Sequence, residues 1–434
     1  MECNLFNLSH LYSALEHLQL KFQKERILYK KSQHGVIFSS FYFDKKNFCQ
    51  SLLSTLNNKS YKFSSAIPTK ITKKNKQRII FKTSLTDSIL NTALYQLLYP
   101  LMIEKLTRQT YSYRHDINHI HAISNFINYT KKHSSLLIIR ADLNTYTDTI
   151  PVHPDSLTWK IVSDLIKPFQ KENQYDYLFH LIKCSLQPLI ESEYGYYQFH
   201  TGLPTGNPLV NLIANLYLTD LDHKLVKIEQ GFYARYGDDI LFAHPREEIA
   251  INALRTIKSS ICEKSLTINN DKFEAIHFKP HGLPTNINQF KSTHVVNFLG
   301  SKIFNDTSRS KKNRSFKKII RNLRLRVKST QSILQNKPRS TKGKIICEVI
   351  NKFYLQEIKM GNSRLFSFLS TTTNRETLKQ MDYLIALYIA ERLSKQKGPK
   401  AFRHVPYKKI RSEWHLQSLC LLKNKVWKIQ NDST

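Results

Sequence analysis

Three acidic residues are the strongest candidates for chemistry in this sequence. Asp142 follows the apolar run SSLLIIRA, whereas Asp238 and Asp239 lie 96 positions later in the segment YGDD. Each has an ordinary explanation by itself, because Asp is common where strands end and Asp beside Gly is a favourable turn sequence. If the two segments form neighbouring strands of one sheet, however, the carboxylates converge. Such a group favours Mg²⁺, a hard cation that takes oxygen ligands, and two such ions can support phosphoryl transfer.

The sequence around these acids predicts the elements that position them. Residues 134–143 form a short, continuous apolar run, which is typical of a buried strand whose end reaches solvent. Residues 232–243 predict a β-hairpin that bends at Gly237, and residues 295–304 repeat the pattern around Gly300. Helical patterns occupy the stretches between these strands: 155–185, 207–222 and 247–264. Strands that alternate with helices and close through hairpins predict an α+β fold.

The N-terminal part of the chain carries further patterns. Apolar residues at helical spacing predict helices over 13–30 and 87–105, and another over KKNFCQSLLSTL, whereas VIFSSFYF at 36–43 is strand-like. Between residues 70 and 82 the chain is rich in cations and alternates them with apolar residues, which predicts a basic β-ribbon.

The chain becomes basic and helical after about residue 306. Ten Lys and Arg residues lie between positions 309 and 328 without one acid. Charges of one sign at this density repel one another unless an anion such as phosphate neutralises them. Helical patterns follow at 344–359, at 375–395 and, more weakly, after residue 408.

The composition excludes several classes of protein. Lys and Arg number 66 against 33 Asp and Glu, so the 434-residue chain has a net charge of +33, and nucleic acid is the expected partner. No apolar run approaches the roughly 20 residues of a membrane-spanning helix, and no secretory signal is visible. The six Cys are scattered without zinc-site spacing. We therefore expect a cytoplasmic protein of about two to four domains with no membrane contact.

Three segments resemble the central palm motifs of reverse transcriptases and occur in the same order. They are RADLNTYTDTIPVH around Asp142, TGLPTGNPLVNLIANLYL at 201–218 and YGDD at 236–239. The resemblance continues on both sides and covers roughly residues 60–305. The flanking matches are a fingers motif at 76–94, the segment before the first palm strand at 111–123, a Lys-containing motif at 266–278 and a primer grip at 297–304.

The resemblance implies a right-hand polymerase with fingers, a ferredoxin-like palm and an all-helical thumb. Residues 1–60 would form an N-terminal extension of the fingers, and residues 61–135 the fingers. Residues 136–305 would form the palm, with a fingers insertion at about 155–200, and residues 306–434 the basic helical thumb.

The resemblance also implies roles for individual residues. The catalytic set would be Asp142, Asp238, Asp239 and Lys272, with Lys272 as the general acid that protonates the leaving pyrophosphate. Two Mg²⁺ ions, or Mn²⁺ in their place, would be held by Asp142, Leu143, Asp238 and Asp239, of which Asp239 has the lesser role. The nucleotide would be bound by Lys74, Lys76, Arg78, Tyr146, Thr147, Thr205 and Gly206. The primer grip would be Phe298, Leu299 and Gly300, and nucleic acid would contact Lys311, Lys312, Arg314, Lys317, Lys318 and Arg321.

The sequence departs from the family pattern at a few positions. Five residues after the metal-binding Asp the family commonly has Phe or Tyr, which blocks a ribose 2′-hydroxyl, and this chain has Thr147. Either Tyr146 takes over that role or discrimination against ribonucleotides is weak. Thr205 replaces the usual Gln. Gly237 is more familiar from viral RNA-dependent RNA polymerases, yet those usually have a second Asp at five, whereas Asp148 stands at six; the balance favours DNA synthesis.

The segment DLNTYTDTIPVH resembles the bacterial "unknown group" of stand-alone reverse transcriptases, which act in phage defence and abortive infection. This narrower resemblance implies an RNA and DNA primer-template, dNTPs, and as further partners a dedicated non-coding RNA and a companion defence protein or a second copy of the chain. Two other enzymatic functions stay open, an RNA-dependent RNA polymerase and a template-independent nucleotidyltransferase. A non-enzymatic alternative is a basic RNA-binding scaffold with an inactive palm, although the intact set of acids argues against it.

Overall fold

The computed structural model of the protein describes residues 5–25, 44–73, 76–172, 174–278, 287–311, 313–360 and 363–431. These residues form two compact units. The first contains the described parts of 1–126, 136–277 and 288–290, and the second contains those of 127–135, 278–287 and 291–434. Both units bury many apolar side chains.

The first unit begins with the helices Leu8–Glu25 (α1) and Lys45–Asn57 (α2), which pack against each other. Strands Ile67–Lys73 (β1) and Lys76–Lys82 (β2) then pair antiparallel, which confirms the predicted basic ribbon. Helix Leu85–Lys105 (α3) follows and packs against α1. The Ser84 side chain caps α3, because it accepts a hydrogen bond from the Asp87 amide at 3.0 Å.

A sheet with helices beside it completes the first unit. In chain order its elements are His119–Thr130 (α4), Leu136–Asp142 (β3), Tyr146–Thr149 (α5), Leu157–Ile166 (α6), Tyr175–Leu186 (α7), Ile190–Ser192 (β4), Gly195–Tyr197 (β5), Pro208–Tyr217 (α8), Thr219–Val226 (α9), Phe232–Tyr236 (β6), Asp239–His244 (β7), Glu247–Glu263 (α10) and Glu274–Phe278 (β8). Within this unit the strands lie in the order β6, β7, β3, β8, and β7 is antiparallel to both β6 and β3.

Strand β3, which lies between β7 and β8, is the most enclosed strand of this sheet. All seven of its residues are buried, which explains why its sequence is a continuous apolar run and not an alternating one. Helix α10 packs on β3 and β7 through one buried stripe: Ala250, Leu254, Ile257 and Ile261.

Two of the predicted helices are each divided in the structure. The pattern at 155–185 contains α6 and α7, separated by the 3₁₀ helix Lys167–Glu172. Pro168 explains this break, because proline has no amide hydrogen with which to continue an α-helix. The pattern at 207–222 contains α8 and α9, and the chain leaves helical geometry at Leu218, where φ is −106°.

The second unit combines a small sheet with helices. Its elements are Lys291–Thr293 (β9), Val295–Phe298 (β10), Ser301–Phe304 (β11), Arg309–Lys311 (β12), Asn313–Lys328 (α11), Gln331–Leu334 (α12), Arg339–Lys359 (α13), Arg364–Thr371 (α14), Arg375–Ser394 (α15), the 3₁₀ helix Gly398–Arg403, Tyr407–Ser412 (α16) and Leu419–Asn431 (α17). Strands β10, β11 and β12 form an antiparallel sheet. The basic run at 309–328 is therefore a strand followed by a helix.

The helices of the second unit enclose a single apolar core. It includes Ile346, Tyr354, Phe368, Met381 and Trp414. The Trp414 ring lies directly against the backbone of Gly343, where a Cβ atom would come within 2.4 Å of the ring. Only glycine fits at this position of α13 without moving the ring.

The predicted α+β class is confirmed by this mixture of helices and sheets. The finer division into fingers, palm and thumb, and the domain boundaries that go with it, stay predictions. The strand predicted at 36–43 and the end of the helix predicted at 13–30 lie outside the described residues. No helix within the described ranges is both long and apolar enough to cross a membrane.

Candidate active site

The three predicted acids come together through the register of two strands. In the pairing of β3 with β7, Asp142 lies directly opposite Asp239. The residues Gly237 and Asp238 form the turn between β6 and β7, and the Leu143 amide donates to the Asp238 carbonyl at 3.2 Å. Gly237 has a φ of +66°, a left-handed conformation that glycine adopts without steric cost. The turn thus brings Asp238 beside the end of β3.

Two of these carboxylates already face a cation. The Lys272 ammonium group forms an ion pair with the Asp142 carboxylate. The Arg140 guanidinium lies 3.5 Å from Oδ1 of Asp239. Burial raises the pKa of Asp239 to about 6, and the neighbouring acids oppose the lowering effect of Arg140. Burial and the charge of Asp142 also raise the pKa of Asp238. Burial is thus the main cause of both pKa shifts, and the closeness of the acids adds to it.

This donor set fits a hard divalent cation. Among the described residues, no three Asp, Glu, His or Cys side chains are arranged as a complete metal site. Magnesium, however, is usually held by one or two carboxylates and takes its other ligands from water and substrate phosphates. Asp142 and Asp238 supply two such carboxylates, and burial together with the charge of Asp142 raises the pKa of Asp238.

Backbone hydrogen bonds bring Lys272 to the acids. The Asn269 amide donates to the Asp142 carbonyl at 2.8 Å, and the Asn144 amide donates to Thr267 at 2.9 Å. The Lys272 amide then closes a turn onto the Asn269 carbonyl at 3.0 Å. The segment after α10 is consequently tied to the end of β3. The prediction that Lys272 lies at the site agrees with this geometry, whereas its role as an acid stays a prediction.

The loop before α8 contacts the basic ribbon. The Phe81 amide of β2 donates to the Thr205 carbonyl at 2.9 Å. Gly206 has a φ of +122°, and a Cβ atom there would lie 3.2 Å from the Phe81 carbonyl oxygen. Gly202 is tighter still, because its Cβ would lie 2.9 Å from the carbonyl oxygen of Asp148. The predicted nucleotide-binding residues Thr205 and Gly206 therefore lie next to the ribbon.

The ribbon places Arg78, one of the cations predicted to bind the nucleotide, near the acids. Burial raises the pKa of both Asp148 and Asp238, and the nearby charge of Arg78 counteracts the rise in each. The Arg78 side chain is exposed on β2. Lys76 begins β2, and Lys74 lies outside the described residues.

The surroundings of Tyr146 and Thr147 differ, which bears on the two alternatives for sugar selection. Tyr146 is buried, and its hydroxyl donates to the Ala214 carbonyl at 2.5 Å. A ring held in this way by helix α8 is engaged in packing and not available at the surface as a gate. Thr147 is half-buried, and its carbonyl accepts from the Leu203 amide at 2.9 Å. Of the two residues, Thr147 is the one with solvent access.

The second unit carries the other predicted contacts. Leu299 and Gly300 form the turn between β10 and β11, with φ values of +44° and +82°. The Phe298 side chain is fully buried, so only the turn is exposed enough to meet a ligand. On α11, Lys317 and Arg321 are exposed and Lys318 is half-buried. Arg314 is the second residue of the same helix and Lys311 ends β12, whereas Lys312 lies outside the described residues.

Two charged residues near the acids escaped sequence reasoning. Arg140 lies two residues before Asp142, hence on the same side of β3, and also donates to Glu274 at 2.7 Å. Arg235 is completely buried in β6, next to the Tyr-Gly-Asp-Asp segment. The available signal was a single Arg inside an otherwise apolar strand, which requires a partner when it is buried.

Comparison with known protein families identifies one that matches this chain. A family model described as "Reverse transcriptase (RNA-dependent DNA polymerase)" matches residues 69–303, more than half of the chain. The description confirms the predicted enzyme class, an RNA-directed DNA polymerase and thus a nucleotidyltransferase, at the level of the family. Enzymes of this family generally use divalent metal ions. No curated protein sequence matches the chain.

Two similar solved structures are telomerases. The apo telomerase of Candida tropicalis, truncated from its C-terminal domain, has 13% identity and a TM-score of 0.42; the match covers 58% of this chain and 55% of that one. The telomerase of Candida albicans in complex with a TWJ fragment of telomeric RNA has 13% identity and a TM-score of 0.46, with 89% and 68% covered. The chain thus spans about half the length of the first of these proteins.

Proposed function

Because the chain belongs to the reverse transcriptase family, we propose that it is an active RNA-directed DNA polymerase that adds dNTPs to a 3′-hydroxyl or a protein hydroxyl. The observation that carries this proposal is the register of β3 and β7, which sets Asp142 opposite Asp239 with Asp238 in the adjoining turn. A protein that only bound RNA would have no need for such a cluster of acids, in which burial and the nearby charge of Asp142 raise the pKa of Asp238 and of Asp239.

The metal ligands in this proposal are Asp142, Asp238 and the backbone of Leu143. Two Mg²⁺ ions, when bound, would lower the pKa of the attacking hydroxyl and neutralise the departing pyrophosphate. Asp239 has the supporting role, because the Arg140 guanidinium already faces its carboxylate.

Other residues of the chain act on the nucleotide. Arg78 suits the triphosphate, because a guanidinium can donate two parallel hydrogen bonds to phosphate oxygens. Lys272, which pairs with Asp142 in this structure, would be the general acid that gives its proton to the departing pyrophosphate once Asp142 is engaged by metal. Thr147 faces the sugar, and its small side chain leaves room for a 2′-hydroxyl, so that selection against ribonucleotides is weak.

The same resemblance supports a right-hand arrangement. We assign residues 61–135 to fingers, 136–305 to a palm with a fingers insertion at about 155–200, and 306–434 to a thumb, with 1–60 as an N-terminal extension. The helical composition of residues 313–431 is in keeping with the thumb. In this proposal α11 contacts the phosphates of the primer-template through its exposed Lys317 and Arg321.

The biological setting is proposed from one motif. DLNTYTDTIPVH supports a stand-alone bacterial enzyme in anti-phage defence, with a dedicated non-coding RNA and a companion protein or second copy of the chain as partners. RNA synthesis is the competing activity, which Gly237 and Thr147 favour. Parallel assays with dNTPs and rNTPs, with and without template, separate reverse transcription, RNA synthesis and template-independent addition.

The first prediction tests the acids directly. Asp238→Ala should abolish dNTP incorporation on a primer-template, because one of two metal-binding carboxylates is lost, and should leave nucleic-acid binding intact. Asp220→Ala is the matched control, since Asp220 is 73% exposed and pairs with Lys264 away from the acids. Primer extension on gels and fluorescence anisotropy measure the two properties. Incorporation by the Asp238 variant at the rate of the control would refute the polymerase site.

A further inference from the structure

Arg235 makes an unusually complete set of hydrogen bonds for a buried charge. Its guanidinium has five N–H donors, and five contacts are present. Nε and Nη2 donate hydrogen bonds to the two carboxylate oxygens of Asp222 at 2.7 and 2.5 Å. Nη2 also donates to the Asn215 carbonyl at 2.8 Å, and Nη1 donates to the Asn215 side chain and to the Gly237 carbonyl, both at 3.3 Å.

The partner carboxylate is equally well satisfied. Asp222 accepts from the Tyr233 hydroxyl at 2.6 Å and from the Thr110 hydroxyl at 2.9 Å, in addition to its two bonds from Arg235. Both Arg235 and Asp222 are completely buried. Desolvation of two charges is costly, and a buried pair is tolerated only when the surrounding hydrogen bonds compensate, as they do here.

A hydroxyl group extends this network to the other side of Gly237. The Gly237 amide donates to Oγ of Ser112 at 2.9 Å, and the Ser112 hydroxyl donates to the Asn215 side chain at 2.8 Å. The Asn215 amide group donates back to the Ser112 carbonyl at 2.7 Å. Gly237 is therefore held twice, through its N–H by Ser112 and through its C=O by Arg235.

These two hydrogen bonds restrain the Gly237 peptide itself, in addition to the hydrogen bond from the Leu143 amide to the carbonyl of the next residue, Asp238. A Cβ atom built on Gly237 would meet nothing within 4 Å, so packing does not fix its conformation. Glycine also has the greatest backbone freedom of any residue. Without the network, the turn would sample other conformations and carry the neighbouring Asp238 carboxylate with it.

We propose that Ser112 and Arg235 are positioning residues that fix the Gly237 peptide and thereby preset Asp238 for metal binding. This inference rests on the proposed function, in which Asp238 is a metal ligand. The competing explanation is that the network only stabilises the fold by joining β6 to α8 and α9. The two explanations differ in what happens to metal affinity when the link to Gly237 is cut and the Arg235–Asp222 pair is left in place.

Ser112→Ala makes that cut. It removes the acceptor of the Gly237 amide, and the pair Arg235–Asp222 keeps its direct bonds. Ser260→Ala is the matched control, because Ser260 is also buried in the first unit and its hydroxyl has no hydrogen-bond partner among the described residues. Both variants are compared with the wild type by thermal unfolding, by Mn²⁺ titration followed by electron paramagnetic resonance, and by primer extension.

The expected result is a selective loss at the metal site. Ser112→Ala should weaken Mn²⁺ binding and lower kcat by about tenfold each, the equivalent of one buried hydrogen bond, with KM for dNTP unchanged. Ser260→Ala should change neither. Equal Mn²⁺ affinities in the two variants would overturn the inference, and so would a loss explained entirely by the unfolded fraction.

A second variant guards against misfolding, and the metal titration separates the two proposals. Arg235→Lys keeps the charge opposite Asp222 but cannot also reach the Gly237 carbonyl, so a folded variant should show weakened Mn²⁺ binding as well. Unchanged Mn²⁺ binding would contradict the inference.

If the wild type binds Mn²⁺ but incorporates no nucleotide, the proposed function fails. The positioning inference is then still decided by the Mn²⁺ affinities.

Discussion

At the scale of single residues, the site is a balance of charges between acids and cations. Asp142 and Asp239 each face a basic side chain, and Asp238 lies in the turn that precedes Asp239. Lys272 therefore has two conflicting demands, since it neutralises Asp142 in this structure and would have to release that carboxylate to a metal ion. The two demands can be separated by removing its charge.

Lys272→Gln should bind Mn²⁺ more tightly than the wild type, because a competing cation is gone from Asp142. The same variant should incorporate dNTPs more slowly, by roughly 10²–10⁴-fold if Lys272 is the general acid. Lys264→Gln provides the control, since Lys264 pairs with Asp220 at 3.2 Å outside the acidic cluster. Paramagnetic resonance and single-turnover kinetics measure the two effects. A variant with unaltered kinetics would remove Lys272 from the catalytic set.

At the scale of elements, the loop before α8 depends on contacts between backbones. Gly206 has a left-handed φ of +122°, and a Cβ atom there would press against the Phe81 carbonyl oxygen at 3.2 Å, so a larger residue would be strained at this position. The Asn207 side chain caps the N-terminus of α8, because it accepts a hydrogen bond from the Leu209 amide at 3.0 Å. The same side chain donates to the Ser185 carbonyl at 2.9 Å. The loop is thus fixed at both of its ends.

Gly206→Ala should separate this loop from the ribbon. The strained backbone costs about 1–3 kcal/mol, and the added methyl group pushes against the Phe81 carbonyl. We expect KM for dNTP to rise, because Thr205 and Arg78 lie on the two segments that move apart. Gly195→Ala is the matched control: its φ is +111°, with no atom within 4 Å of the new Cβ. Equal KM values in the two variants would show that the contact is unimportant for nucleotide binding.

The elements were also where sequence reasoning succeeded and failed most clearly. The strand β3 and the β6–β7 hairpin were predictable, because burial on both faces imposes an apolar run and a two-residue turn requires glycine. The break at Pro168 was also predictable, because proline interrupts an α-helix through its own chemistry, whereas the apolar pattern at 155–185 alone predicts one continuous helix. Asp222 was not predictable as a buried ion, because in LTDLDHK it looks like any acid on an exposed helix. Its partner Arg235 comes from a different element, and only the fold brings them together.

At the scale of the whole molecule, charge dominates. A net charge of +33 on 434 residues gives a field that attracts any polyanion, so weak nucleic-acid binding alone says little about function. The informative quantity is how many cations contact phosphates at one defined place. In the second unit the place we propose is the exposed side of α11, where Lys317 and Arg321 lie one turn apart.

The double variant Lys317→Gln/Arg321→Gln should bind primer-template less tightly and with a weaker dependence on salt. Each lost phosphate contact reduces the slope of log affinity against log salt by about 0.9 on a duplex, so the pair should reduce it by about 1.8. Lys352→Gln/Lys379→Gln removes the same charge from residues that pair with Glu348 and Glu376. Anisotropy titrations between 50 and 200 mM salt, the range of the cited effect, give both slopes. Parallel slopes for the two double variants would mean that α11 does not contact phosphate.

The close fit between Trp414 and the bare backbone of Gly343 has a practical consequence for anyone trimming this chain. The indole of Trp414 completes the core of the second unit, although it lies near the last described residue of the chain. Leu416, Leu419 and Val426, which follow it in the sequence, are buried as well. An expression fragment that stopped ahead of the tryptophan would open a slot along α13 to water and invite aggregation. Shortened versions intended for crystallisation or cryo-microscopy should therefore keep everything through Val426.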